Sequence, residues 1–290
     1  MSSPLYYTPL RYPGGKGKLA AYVKAIFEEN DLLDGLYAEP YAGGAGVALE
    51  LLSQQYVSKI YINDVSPAIG AFWRSVLNRT DELCKLIRDK RVSMAEWRRQ
   101  KQIQVLGSEA GDLALGFSTF FLNRTNRSGI LNGGVIGGLN QEGTWKIDAR
   151  YNKQDLIKRI ESIATQKRRI EFSQLDAVDF ITGVAAELPQ RSLVYLDPPY
   201  FEKGQDLYLH HYKPSDHETI AGLAPEVLTN HHWIVSYDNV REVRALYAGF
   251  KKIVYELGYS AREIRSGSEV MFFGPNLKIP ALRFPMRKAA

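Results

Sequence analysis

The strongest constraint on this chain is an alternation of two patterns. Short apolar segments that read as strands, "GLYAEP" (35–40), "KIYINDV" (59–65), "RIEFSQLD" (169–176), "SLVYLDPP" (192–199) and "HWIVSYDN" (232–239), take turns with helical ones. The helical segments are "GVALELLSQQ" (46–55), "KQDLIKRIESIATQKR" (153–168) and "DHETIAGLAPEVLTN" (216–230). Strands that alternate with helices predict an α/β fold with a doubly wound, mostly parallel sheet. Two further strands, "KKIVYELGY" (251–259) and "EVMFFGP" (269–275), have no helix between them, so they read as an antiparallel hairpin at the end of the sheet.

One region interrupts the alternation. From about residue 71 the pattern is helical through "ALGFSTFFLN", followed by the Gly- and Asn-rich "RTNRSGILNGGVIGGLNQEGTW". This predicts a mostly helical domain over 71–152 inserted into an α/β domain made of 1–70 and 153–290. The insert holds 13 Lys and Arg against 8 Asp and Glu, whereas the remainder has 24 of each. The excess of base is therefore regional. It is the footprint of a polyanionic partner or of a solvated helical face. A single cysteine, Cys84, excludes an intrachain disulfide and a cysteine-cluster metal site. No apolar run approaches the ~20 residues that span a bilayer, and we expect a cytoplasmic protein. The His210–His211 and His231–His232 pairs lack a ligand partner set, and no metal is expected.

In open α/β sheets, ligands bind beyond the carboxyl ends of the strands. "YAEPYAGGAGVALELL" (37–52) is a strand, a glycine turn and a helix, with Gly43, Gly44 and Gly46 allowing close backbone approach. Glu39 just before the turn disfavours a pyrophosphate and favours a cationic ligand. Asp64 closes the next strand at the spacing of an acid that grips ribose hydroxyls. Each feature has a plain alternative, a tight turn for the glycines and a helix cap for Asp64. Together they suit S-adenosylmethionine, a nucleoside that carries an ammonium and a sulfonium. "RYPGGKGKL" (11–19) lacks the Ser or Thr of an ATP-binding phosphate loop.

"LVYLDPPY" (193–200) places an acid and two prolines at the end of an unbroken apolar strand. Pro198 and Pro199 fix the backbone, and Asp197 is held extended before them. The Asp197 carboxylate and the Pro198 carbonyl could both accept hydrogens from one exocyclic amine, with Tyr200 offering a face for stacking. An adenine amine is a poor nucleophile, and two acceptors would aim its lone pair at a methyl group. A base inside a duplex must first be flipped out.

These motifs, in this order, resemble the Dam-like, alpha-group DNA adenine-N6 methyltransferases over nearly the whole chain. "LRYPGGKGKL" looks like that family's N-terminal cofactor segment, "AEPYAGGAG" like its glycine loop, "YINDVSP" like its ribose motif and "LVYLDPPY" like its catalytic motif. The glycine loop departs from the commoner FxGxGS form. The resemblance implies a Rossmann-like methyltransferase fold with an inserted target-recognition domain. It implies cofactor contacts from Tyr12, Lys16, Asp64 and Asp197, and a methionine end lined by Glu39, Pro40, Ala42 and Gly43. Asp176 would hold the cofactor's adenine amine. Asp197, Pro198, Pro199 and Tyr200 would act on the target base. "FLNRTNRSGILNGG" (121–134) lies where such enzymes read DNA. Arg124 and Arg127 are candidates for guanine edges or phosphates, Asn123, Asn126 and Asn132 for adenine edges, and Arg262 and Arg265 for phosphates. The expected activity is transfer of a methyl group from S-adenosylmethionine to adenine N6 in a short duplex sequence, by a monomer, with a cognate restriction system as a potential partner. Alternatives are N4-cytosine methylation, a catalytically silent DNA-binding protein, or an RNA or protein methyltransferase.

Overall fold

The computed structural model describes residues 7–11, 19–201, 212–257, 268–282 and 286–288. The chain divides into two compact units, a sheet unit of residues 16–63 and 175–290 and a helical unit of residues 1–15 and 64–174.

In the sheet unit, α1 (Ala20–Glu29) precedes β1 (Gly35–Glu39), α2 (Gly46–Ser53) and β2 (Val57–Asn63). After the helical unit come α8 (Ala177–Gly183), β4 (Ser192–Leu196), α9 (Pro214–Val227), β5 (His232–Asp238) and α10 (Arg241–Leu246), then β6 (Lys251–Leu257), β7 (Glu269–Phe273) and β8 (Met286–Lys288). These strands run in the order β2-β1-β4-β5-β7-β6-β8. The first four are parallel, and β7, β6 and β8 join by antiparallel pairs. The chain moves outward from β1 to β2 and later returns to the other side of β1 with β4. The carboxyl ends of β1 and β4 therefore flank the switch point, where such sheets bind ligands.

All five residues of β4 are buried, as its unbroken apolar run demands. One face of the sheet buries Val194, Leu196, Trp233, Val235 and Phe272 against Phe180 and Ile181 of α8 and Ala221 and Ala224 of α9. The expected pairing of β6 with β7 is antiparallel, but β7 lies inside the sheet between β5 and β6, and β8 pairs with β6. The strand expected over 169–176 ends at Ser173 as β3 (Ile170–Ser173), because Asp176 already caps the following helix.

The helical unit holds α3 (Pro67–Asn78), α4 (Thr80–Asp89), α5 (Met94–Leu106), α6 (Asp112–Thr125), α7 (Lys153–Thr165) and β3. Helices α3 and α6 cross closely at Gly116, where a Cβ would meet the Ala71 carbonyl oxygen at 2.6 Å. Arg74 and Asp112 brace this crossing with two hydrogen bonds of 2.8 Å. The α7 segment, expected with the sheet, packs on α3 and α4 instead.

Candidate active site

Strand β1 ends at Glu39, and the chain turns through residues 40–45 before α2. The turn needs left-handed backbone at Gly43 (φ 48°) and at Ala45 (φ 48°, ψ 41°). A Cβ in that region costs about 1–2 kcal/mol, so the turn holds Ala45 under strain. Asn63, at the end of β2 and fully buried, stitches the turn in place. Its amide donates to the carbonyls of Pro40 and Leu175, both at 3.0 Å, and its side-chain oxygen accepts from the Leu175 N–H at 2.9 Å. Its own carbonyl accepts from the Ala42 N–H at 2.8 Å.

Glu39 is buried. Loss of water pushes its carboxyl up to about 8, and the neighbouring Asp197 adds to the rise. Hydrogen bonds from the Tyr37 hydroxyl (2.7 Å) and the Ala48 backbone act against it. A buried carboxyl facing a second acid at a sheet switch point is suited to a cation.

Asp197 follows the last residue of β4. The Ser236 hydroxyl on β5 donates to its Oδ1 at 2.7 Å, and Tyr195 lies 2.8 Å from Ser236 Oγ. Because Ser236 gives its proton to Asp197, Tyr195 donates to Ser236. The carboxylate is thereby oriented by two hydroxyls in series. The loop beyond is anchored twice more. The Phe201 N–H donates to Asp238 Oδ1 at 3.0 Å, and the Tyr200 hydroxyl donates to Glu269 Oε1 at 2.7 Å. Pro198 is buried, while Asp197, Pro199 and Tyr200 are half-buried. The result is a rigid set of acceptors and one aromatic ring at the carboxyl end of β4.

The structure brings Glu39, Pro40, Ala42, Gly43 and Asp197–Tyr200 to strand ends of one unit. Asp176 is in the same unit, but it is exposed and its Oδ1 accepts from the Val178 N–H at 2.8 Å as the cap of α8. Asp64 belongs to the helical unit, where its Oδ1 accepts from the Ser66 N–H at 2.9 Å ahead of α3. Tyr12, Lys16, Arg262 and Arg265 lie outside the described residues.

Two DNA-contact expectations need correction. Asn123 is buried and locked to Arg11, accepting from its N–H (2.6 Å) and donating to its carbonyl (2.7 Å) and to that of Gly129 (2.9 Å). Asn126 is buried too, donating to the carbonyls of Ile130 and Leu131 and accepting from the Trp97 indole. Both amides hold the loop and present no edge to a base. Arg124 donates through Nε to the Arg150 carbonyl at 2.8 Å. Burial, with Arg11 and Arg159 nearby, lowers its guanidinium to about 9.

Arg127 and Asn132 are exposed. Arg127 lines an open cavity of about 530 Å³ with Ile136, Glu142, Thr144 and Trp145. Trp145 is 62% exposed on a well-braced loop. Gln141 donates to the carbonyls of Ile136 and Gly138 and accepts from the Ile147 N–H at 2.8 Å. Gly137 (φ 88°) leaves no room for a Cβ, which would meet the Trp145 carbonyl at 2.8 Å. Sequence reasoning did not single out Trp145, although it is the one aromatic in the Gly- and Asn-containing stretch "GLNQEGTW".

Cys84 is buried in α4, and burial raises its thiol to about 11, which disqualifies it as a nucleophile near neutrality. Among the described residues there is no group of His, Cys, Asp and Glu that could hold a metal ion, and no helix long and apolar enough to cross a membrane.

A family model described as D12 class N6 adenine-specific DNA methyltransferase matches residues 12–260. No curated protein matches the sequence. Among solved structures, the chain is similar to the rRNA methyltransferase AviRa from Streptomyces viridochromogenes (15% identity, TM-score 0.41, covering 95% of this chain and 89% of that one). It is also similar to TrmK of M. capricolum in complex with S-adenosyl-homocysteine (7% identity, TM-score 0.35, 87% and 68%) and to a conserved hypothetical protein of Streptococcus pyogenes (13% identity, TM-score 0.32, 83% and 86%).

Proposed function

Because the chain belongs to the D12 class of N6 adenine-specific DNA methyltransferases, we propose that Asp197, Pro198, Pro199 and Tyr200 are the residues that act on the target adenine. The observation that carries this is the Tyr195–Ser236–Asp197 series, which fixes a carboxylate at the sheet's switch point. With the Pro198 carbonyl, Asp197 accepts hydrogens from the base's exocyclic amine. The lone pair is thereby turned out of conjugation, and positive charge developing on nitrogen meets fixed negative ends of dipoles. Tyr200 stacks on the base, which has been flipped out of the duplex.

S-adenosylmethionine, when bound, supplies an activated methyl group. The residues fit it: a buried carboxyl of raised pKa at Glu39 accommodates a cationic ligand, and the left-handed turn at Gly43 admits close backbone approach. Glu39, Pro40, Ala42 and Gly43 line its methionine end, with Asp197 beside them. Asp176 retains the role implied for it at the adenine end, and Tyr12, Lys16 and Asp64 are assigned to the cofactor by resemblance alone.

The partner is duplex DNA. Arg127, Asn132 and the exposed Trp145 are its contacts in the helical unit, and the half-buried Arg124 adds positive charge beside them. Arg262 and Arg265 remain phosphate contacts by their sequence position. The test is labelled methyl transfer to duplex DNA followed by nucleoside analysis. N6-methyladenine is expected, and label in N4-methylcytosine would overturn the base assignment. Asp197→Ala should lower the single-turnover rate by about 10³-fold with DNA affinity little changed. An unchanged rate would remove Asp197 from the chemistry.

A further inference from the structure

Tyr200 is held from its far end. Pro198 and Pro199 fix the main chain before it, but they leave its ring free to turn about χ1 and χ2. The ring's orientation must come from elsewhere, and its hydroxyl donates to Glu269 Oε1 at 2.7 Å.

Glu269 opens β7, opposite Asp238 on β5 and Tyr255 on β6. Its side chain is buried. Its second oxygen, Oε2, accepts from the Tyr255 hydroxyl at 2.9 Å, and Tyr255 is itself fully buried. Tyr255 thus restrains the carboxylate from the side opposite Tyr200's bond. Asp238, the cross-strand neighbour of Glu269, holds the Phe201 N–H of the same loop. One layer of β5, β7 and β6 therefore fixes both the tip of the Tyr200 ring and the main chain just past it. Burying a carboxylate costs several kcal/mol unless its oxygens are well met. An apolar residue would fill the same space without that cost. The carboxylate's presence calls for a task, and its geometry directs it at Tyr200.

We propose that Glu269 is the positioning residue for Tyr200, setting the ring plane against the target base and enriching the ring's electron density. This rests on the reading of Tyr200 as the stacking residue. A phenol that donates to a carboxylate carries more negative charge on its ring face. That face attracts positive charge, and the adenine amine becomes positive as its new N–C bond forms and the bond from that methyl group to the donor's sulfur breaks, until the amine gives up a proton to solvent. Glu269 then acts more on the transition state than on bound DNA.

The experiment is single-turnover methyl transfer by the full chain with duplex DNA, alongside DNA affinity, for wild type, Glu269→Gln, Tyr200→Phe and the double variant. Glu269→Gln should slow transfer about tenfold while DNA affinity stays within about twofold. In the Tyr200→Phe background the same change should have almost no further effect, because the hydroxyl through which it acts is gone. If Glu269→Gln fails to fold, Glu269→Asp retracts the acceptor by one methylene and should slow transfer similarly. A wild-type rate in the folded variant overturns the proposal, as does a full-sized effect in the Tyr200→Phe background. A wild type that methylates no adenine overturns the function itself, and with it this proposal, which distinguishes the two failures.

Discussion

The Glu39 carboxyl carries a signed consequence. Its ordinary value is 4.5, and in the folded chain it rises to about 8. Between those values the folded chain holds a proton that the unfolded chain has lost. The contribution to stability is therefore full below about 4.5 and falls as pH climbs toward 8, by a few kcal/mol in all. Glu39→Gln should flatten that fall, which thermal unfolding between pH 5 and 8 measures. A cationic ligand beside Glu39 reverses the preference and favours the charged form. Cofactor binding near pH 7 should then release up to about one proton, read as buffer-dependent heat in calorimetry. Binding without proton release would place the cation elsewhere. Glu39 and Asp197 are legible in the sequence because each is a carboxylate closing an apolar strand. Asn63, Ser236, Asp238 and Glu269 are not, because their partners lie far along the chain. Leu175, for example, is 112 positions from Asn63, and Tyr200 is 69 from Glu269. The same blindness misassigns Asn123 and Asn126. Their amides are visible in the sequence, but the backbone groups that satisfy them are not.

At the level of elements, two joints have measurable strength. Asn63 ties the end of β2 to the glycine turn and to the loop before α8 through three side-chain hydrogen bonds. Asn63→Ala should cost about 3 kcal/mol, at roughly 1 kcal/mol per bond, and should weaken the cofactor more than it weakens DNA; urea unfolding and cofactor titration report the two effects. At the α3–α6 crossing, Gly116→Ala forces a methyl against the Ala71 backbone. Overpacking of this kind costs about 1–3 kcal/mol, visible as a lowered urea midpoint. The strands with long apolar runs are legible from periodicity alone, and so are the helices of the insert. Four elements escaped, and the seven-residue helix α8 is one of them. Helix α1 is buried on most sides, with Tyr22, Val23, Ile26 and Phe27 inside, so it lacks a clean polar stripe. Helix α10 has six residues and β8 only three, too few to show a period. The position of β7 between β5 and β6 is a matter of strand order, which a one-dimensional pattern does not encode.

Across the molecule, charge follows the division into units. The helical unit carries 20 Lys and Arg against 12 Asp and Glu, and the sheet unit 17 against 20. DNA affinity should therefore fall steeply with salt, by about 10³-fold or more between roughly 50 and 200 mM if six or more phosphates are neutralised. Arg127→Ala should lower the slope of that dependence by about one when Arg127 contacts a phosphate. Trp145→Ala should weaken binding and leave the slope alone, because an indole displaces no counterion. Fluorescence anisotropy across a salt series separates the two, and an equal change of slope in both would refute the assignment. The lock between Arg11 and Asn123 joins stretches 112 positions apart within the helical unit. On the reading proposed for the helical unit, target preference could not be moved between relatives as one uninterrupted cassette. A chimaera that takes residues 64–174 must bring a donor strip around Arg11 with it, or the transplanted Asn123 faces a stranger.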